Sequence, residues 1–599
     1  MTGAARILGR LERAVAVLVI SLACLLPLIA MATRLAGVRG IPGSVVFVQQ
    51  LTLWMAFLGA ALAASGERLL GMSANTFVPP GWMRPVRLFG CGLTAAIASS
   101  LCWASYRFVA SERSIGTTLA LGVPNWVLAL VMPAGFLLIA ARAIHGAGPR
   151  APHRLAPALF LVVPLALYFT KPEAPAIMWL GMAAILVGAV LGLPIFATLG
   201  GIALLLLWNI GQPVVEVPDN AYSLMVSEVL PSLPLYTLAG YVLVEGGASN
   251  RLLRVYAALF GWLPGGLAIA TAVAFAIFTF AGSGVTIVSM GGLMLPMLRK
   301  AGYSERFSIG LINGSGSLGL LFPPSLPVIL YAIYARTVPI ETLFAGGLAP
   351  GLLMVAMVAA WGVFQGVKCG AVRQRFSPKE ACAAVWAAKW ELAVPVVVIV
   401  GLFGGIGTLV EAGAIAVAYA VIAECFILRQ FSLRRDFPRV AVECVTVVGG
   451  VLLIIGMAKG LTYYLAIQSV PEMLTNWVDL HIQSRYVFLL LLNVVLLIKG
   501  SFMDVFSAII VMVPLIQPIA GRFGIDPVQM GVIFLANLEL GYLTPPIGMN
   551  LCLSAYRFRQ PMTAVYRATL PFYLILLLGV LLITYVPALT TLPVKWFGL

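Results

Sequence analysis

The sequence predicts an all-α polytopic membrane protein. A small four-helix unit is joined by a linker helix to a larger unit with inverted repeats, re-entrant hairpins and broken helices. Three observations predict it. Of 599 residues, 61% are hydrophobic and only 10% charged, against roughly 25% charged in soluble domains, whose surfaces must meet water. Apolar runs of about 20 residues, long enough to cross a bilayer as helices, recur from end to end. A helix, then G-x-L-x-P-P, then a second short apolar helix occurs twice. In lipid the backbone must satisfy its own hydrogen bonds, so such runs form a helical bundle.

Residues 1–145 hold apolar runs near 14–33, 45–65, 88–109 and 123–141. Arg6, Arg10 and Arg13 precede the first, Arg68, Arg84 and Arg87 separate the second from the third, and Arg142, Arg150 and Arg154 follow the fourth. Basic loops stay in the cytoplasm, so both ends of this unit, and the N-terminus, are expected there. Met1–Ala32 has the basic start of a signal peptide but no small-residue cleavage site, and reads as an uncleaved first helix. Residues 146–175 form the linker, polar over 146–154 and apolar over 155–170, which carries the chain across once more.

The larger unit, 176–599, opens with two short crossings over 176–208, kinked at Gly192 and Pro194. Its repeat copies are 302–332 and 525–555. Proline removes a backbone donor and clashes with the preceding turn, so each Pro-Pro breaks a helix at mid-depth. Upstream of each break, AGSGVT (281–286) and KGSFMD (499–504) interrupt an apolar stretch, which gives a re-entrant hairpin beside a broken helix, twice. Arg251, Arg254, Arg299, Lys300 and Arg306 flank the first hairpin, whereas Asp479, Arg485, Arg522 and Asp526 flank the second. The first is therefore expected to open to the cytoplasm and the second to the periplasm, with the C-terminus periplasmic.

Inverted copies with paired broken helices place a binding site near the membrane midplane. A broken helix exposes carbonyls at one half and N–H groups at the other, which suit a dehydrated cation and an anionic solute respectively. The first cation site is expected at Ser283, Gly284 and Thr286 of the hairpin tip with Gly319, Pro323 and Ser325 of the break. The second is expected at Gly500 and Asp504 of the tip with Thr544, Pro545 and Gly548 of the break. Glycine there lets carbonyls turn inward without steric cost. The plainer alternative is that these motifs only kink packed helices. Asp504 either serves the site or caps the following arm. Asn313 and Asn537 either face the solute pathway, with Pro324, Pro546 and Asn550, or bond across helices. Glu539 and Glu411 are weaker candidates. Lys459 and Lys499 either pair with a carboxylate, lie near solute or snorkel to a boundary.

Other functions lack their residues. The net charge of +16 resides in short loops between apolar runs, the pattern of cytoplasmic loops and not of a nucleic-acid surface. The sequence has no G-x-x-x-x-G-K-[ST] for ATP hydrolysis. His145, His153 and His481 and the eight scattered cysteines form no transition-metal pattern and no catalytic cluster. An enzyme is therefore not expected, nor any cofactor, although the carbonyls and hydroxyls of the breaks suit a dehydrated sodium ion. A channel would need a continuous polar stripe where only isolated polar breaks occur.

The runs LPGGLA (263–268), GSGVT, GLLFPPS (319–325), LFAGGLAPGLL (343–353), TLVEA (408–412), GSFMD (500–504), GIDPVQMG (524–531) and NLELGYLTPPIGMNL (537–551) resemble the large membrane subunit of the TRAP (tripartite ATP-independent periplasmic) transporters. LWMAFLGAALAASGERL (53–69) and GVPNWVLALVMPAGF (122–136) resemble the small subunit, and the whole chain resembles the fused form. The resemblance implies a sodium-coupled, elevator-type importer in a bacterial inner membrane. It also implies a periplasmic solute-binding protein as partner, an organic-acid solute, and a small-subunit part that acts as scaffold. The family's first hairpin tip commonly reads SGSS, but here it is Ala281, Gly282, Ser283, Gly284, so two hydroxyls are missing. The rival within transport is a stand-alone ion-coupled anion carrier, which has no need of the four-helix unit.

Overall fold

The apolar runs become helices, with no strand among the described residues. The computed structural model describes residues 3–37, 41–66, 69, 80–148, 157–162, 175–278, 283–323, 325–371, 375–403, 407–502, 505–545 and 548–598. Eight described helices are long and apolar enough to cross a membrane, or ten if two bent pairs each count as one span. Their outward faces are apolar: Leu570, Leu574, Leu578 and Leu582 form an exposed stripe on Met562–Tyr585. A four-residue spacing keeps them on one helix face, and that surface is matched to lipid and not to water. The chain is thus an all-α polytopic membrane protein. Most of the expected linker run lies outside the described residues.

The chain forms two compact units, the first comprising 1–238, 409–414 and 433–470, the second 239–408, 415–432 and 471–599. In the first, helices Gly3–Leu35, Ser44–Ser65, Met83–Ile115 and Asn125–Gly146 form a bundle, and the long helix Asp436–Ile467 packs on the first two of them. Gly59 explains how close that packing is, because a Cβ there would lie 1.9 Å from the Val445 carbonyl oxygen. Polar staples add direction. Gln50 donates to the Tyr222 hydroxyl at 2.7 Å, which donates to Asn125 Oδ1 at 2.6 Å, while Asn125 Nδ2 donates to Glu112 at 2.7 Å. Arg142 binds Glu12 at 2.5 Å. The expected crossings over 176–208 are helices Pro175–Val190 and Ile195–Asn209. They part at Gly192, whose φ of 99° favours glycine, and Pro194, which supplies no donor to a preceding turn.

The second unit contains the duplication. In the first copy, hairpin arms Gly266–Phe278 and Ser283–Lys300 precede a broken helix of halves Glu305–Ser315 and Leu326–Ala335, then exit helix Ile340–Lys368. In the second, the arms are Arg485–Phe502 and Val505–Arg522, the halves Pro527–Gly541 and Met549–Phe558, and the exit helix Met562–Tyr585. Packing is reciprocal. The second arm of each copy lies on the trailing half of the other copy's broken helix, and each leading half lies on the other copy's exit helix. That exchange is what two copies related by a two-fold axis produce. Elsewhere in this unit Arg251 gathers Glu391, Glu424 and Gln430 around its guanidinium, with Glu424 on a π-helical turn, Ile422–Ile427.

Candidate functional site

Each leading half starts on a side-chain cap. Ser304 Oγ accepts from Phe307 N, and Asp526 accepts from Val528 N and Gln529 N. In the first copy the helix ends at Ser315, tightens into a single 3-10 turn, Leu318–Leu321, and resumes at Leu326, bent by 45°. In the second it ends at Gly541 and resumes at Met549 behind Gly548. Gly548 has φ 41°, and a Cβ there would come within 2.8 Å of the Tyr542 carbonyl oxygen. Glycine is required at that corner.

The breaks collect buried polar atoms without partners. The hydroxyls of Ser315, Ser317 and Ser325 are buried and unbonded at the first break. At the second, Asn550 is wholly buried with both amide atoms unbonded. Buried polar groups are nearly always satisfied in folded proteins, so such a group of orphans points to something that binds there. Hydroxyl and amide oxygens are the donors a dehydrated alkali cation takes, whereas the Asn550 N–H groups suit a carboxylate.

The expected site residues fall into several classes. Ser325 is buried with a free hydroxyl. Thr286 is wholly buried, and its Oγ1 donates to Phe278 O at 3.4 Å, which ties the second arm to the end of the first. Ser283 and Gly284 begin that second arm. Pro323 is half-buried beside the 3-10 turn. The Gly319 carbonyl already accepts from Phe322 N at 3.2 Å. Thr544 is half-buried, with its hydroxyl bonded back to Leu540 O at 3.0 Å, and Pro545 is exposed. Gly500 lies inside a helix that continues to Phe502, where the sequence predicts an interruption from 499. It permits close packing there, since a Cβ would lie 2.9 Å from Gly541 Cα. Asp504, Pro324 and Pro546 lie outside the described residues.

The two asparagines of the leading halves bond across helices. Asn313 donates to Thr569 Oγ1 at 2.9 Å and accepts from Ser554 Oγ. Asn537 donates to Asn493 Oδ1 at 2.5 Å, which also accepts from Thr584 at 3.2 Å. Sequence reasoning missed Ser315 and Ser317, although the run of small polar residues in NGSGS, just before the Pro-Pro, carries the signal. It also missed Tyr542, whose hydroxyl accepts from Val505 N at 3.2 Å and joins the second break to its hairpin.

Comparison with known proteins bears on both parts of the chain. Residues 182–589 match the family described as "Tripartite ATP-independent periplasmic transporter, DctM component", and residues 23–147 match its DctQ component. An isethionate TRAP transporter permease protein DctMQ from Oleidesulfovibrio alaskensis is 32% identical over 512 residues, covering 83% of this chain and 80% of the relative. A C4-dicarboxylate TRAP transporter large permease protein from Pseudomonas aeruginosa is 33% identical over 64% of this chain and 91% of the relative. An ectoine TRAP large permease protein from Halomonas elongata is 30% identical over 60% of this chain and 84% of the relative. The crystal structure of the Alcanivorax borkumensis YdaH transporter aligns at a TM-score of 0.45 with 16% identity, over 65% of this chain and 89% of that one.

Proposed function

Because the chain belongs to the tripartite ATP-independent periplasmic transporters, with small and large membrane components fused in one polypeptide, we propose that it is the membrane part of a sodium-coupled importer of an organic acid. It is a transport permease, a multi-pass protein of the bacterial inner membrane. The solute is delivered by a periplasmic binding protein and released into the cytoplasm. In an elevator mechanism the body that holds the solute crosses the membrane while an anchor stays fixed. The unit with both breaks is assigned the moving role, and residues 1–145 that of scaffold.

One observation carries this reading: two reciprocally packed broken helices leave Ser315, Ser317, Ser325 and Asn550 buried without partners. Irregular backbone is tolerated at membrane depth where it lines a cavity or is buried in protein, and in secondary transporters such breaks hold the coupling cation and the anionic solute. Relatives named for C4-dicarboxylate, isethionate and ectoine support a small organic solute, and the first of these supports the acid. Arg6, Arg10 and Arg13 before the first run support a cytoplasmic N-terminus, and Arg557, Arg559 and Arg567 ahead of the last long apolar run support a periplasmic C-terminus.

Proteoliposomes containing the purified chain test it with a panel of organic acids, an inward sodium gradient and candidate binding proteins. The expected result is uptake that needs both gradient and partner. Robust sodium-driven uptake without any partner would instead make the chain a stand-alone carrier.

A further inference from the structure

One buried acid of the second copy has no hydrogen-bond partner. Glu539, in the leading half Pro527–Gly541, is 0% exposed, and neither of its carboxylate oxygens has a hydrogen-bond partner. It stands two residues before Gly541, so the two project to nearly opposite sides of the helix. Gly541 meets Gly500 of the second hairpin, which turns Glu539 away from that hairpin. Val528, roughly three helical turns earlier and therefore on the same face as Glu539, packs against Gly346 of exit helix Ile340–Lys368.

The helices packed on Pro527–Gly541 offer no counter-charge. Arg485 on the second hairpin is bound to Gln529 and Arg522 to Asp479, and Lys499 and Tyr486 make no hydrogen bond with Glu539. Glu341 and Lys368 stand at opposite ends of Ile340–Lys368. Tyr331 donates to Gln517, and Tyr334 is itself unpartnered. On Met562–Tyr585, Tyr566, Arg567, Tyr573 and Tyr585 give Glu539 no bond, nor does Lys595 of the final helix. A carboxylate taken out of water with neither a cation nor a donor beside it is strongly disfavoured, and a neutral carboxyl is far less so. Intramembrane acids of this kind mark ion or proton pathways.

We propose that Glu539 is a proton-binding site of the transport unit. Its carboxylate takes one proton from water when the unit opens around it, holds that proton while packed as seen here, and returns it to water on reopening. The proton thereby joins sodium as a coupled species. The assignment of a bound proton rests on the placement of Glu539 alone, and only the word coupled rests on the transport reading.

Infrared spectra of the full-length chain in lipid nanodiscs at neutral pH test it. The expected result is a protonated-carboxyl band, shifted in heavy water, that loses intensity in Glu539→Gln. Glu424→Gln separates the contribution of the other buried acids. A band unchanged in Glu539→Gln overturns the proposal. Because glutamine copies a neutral acid in shape, Glu539→Gln should fold with an unaltered melting temperature, and failure to fold also overturns it. The sodium concentration for half-maximal thermal stabilisation should stay within about twofold of wild type. Loss of that stabilisation in the variant would make Glu539 an ionised sodium ligand and end the proposal. Absence of it in wild type would count against the sodium reading, and the infrared result would then decide the proton site by itself.

Discussion

Ser325 and Asn313 are both buried polar residues near the first break, yet their hydrogen bonds give them opposite roles. Asn313 spends both ends of its amide on Thr569 and Ser554. Asn313→Ala should therefore destabilise the fold by about 0.5–2 kcal/mol, within the range for interhelical hydrogen bonds in membranes. Ser325 has no partner to lose. Ser325→Ala should leave stability within about 0.5 kcal/mol while weakening sodium dependence. Unfolding curves for both variants, read beside sodium titrations of uptake, check the pair. Equal destabilisation, with sodium dependence intact in Ser325→Ala, would remove Ser325 from the site. Sequence alone left Asn313 open between solute and neighbour, because an asparagine in an apolar helix reads the same in both settings. Only the identity of the atoms across from it decides.

At the scale of elements, the prolines and glycines were the legible part. Pro-Pro predicts two broken helices, and both are present at the expected places. The kink at Gly192 and Pro194 was legible for the same reason, since these residues constrain the backbone locally. The packing of Gly500 was not legible, because a glycine that frees a carbonyl and one that lets two helices touch leave the same letter. Its contact with Gly541 is long-range and invisible along the chain. Gly59 makes the same point in the first unit, where it admits the Val445 carbonyl. Gly59→Val should cost about 1–3 kcal/mol or more through overpacking, read as a lower melting temperature of the purified chain. A melting temperature equal to wild type would show that the two helices do not pack this closely.

At the scale of the whole molecule, the duplication was legible as two copies of one motif, but its reciprocal packing was not. Nor did the linear order reveal that 175–238 and 433–470 belong to one compact unit with the four N-terminal helices. Sequence distance hides such grouping, which is set by contacts like Gln50–Tyr222 and Gly59–Val445. The inverted charge pattern carries its own expectation. A cysteine placed at Asn476, exposed on helix Val470–His481, should react with an impermeant thiol reagent added outside intact cells. Reaction only from the cytoplasmic side would reverse the topology.

Equilibrium binding of radioactive sodium to the purified chain tests most directly whether the paired breaks hold the coupling cation. No solute or partner protein is needed. Saturable binding is expected in wild type, displaced by unlabelled sodium and not by choline, and weakened about tenfold or more in Ser325→Ala and Asp504→Ala, roughly the loss of one charge-assisted ligand. Folded wild-type protein with no saturable sodium binding, or binding untouched by both substitutions, would contradict it.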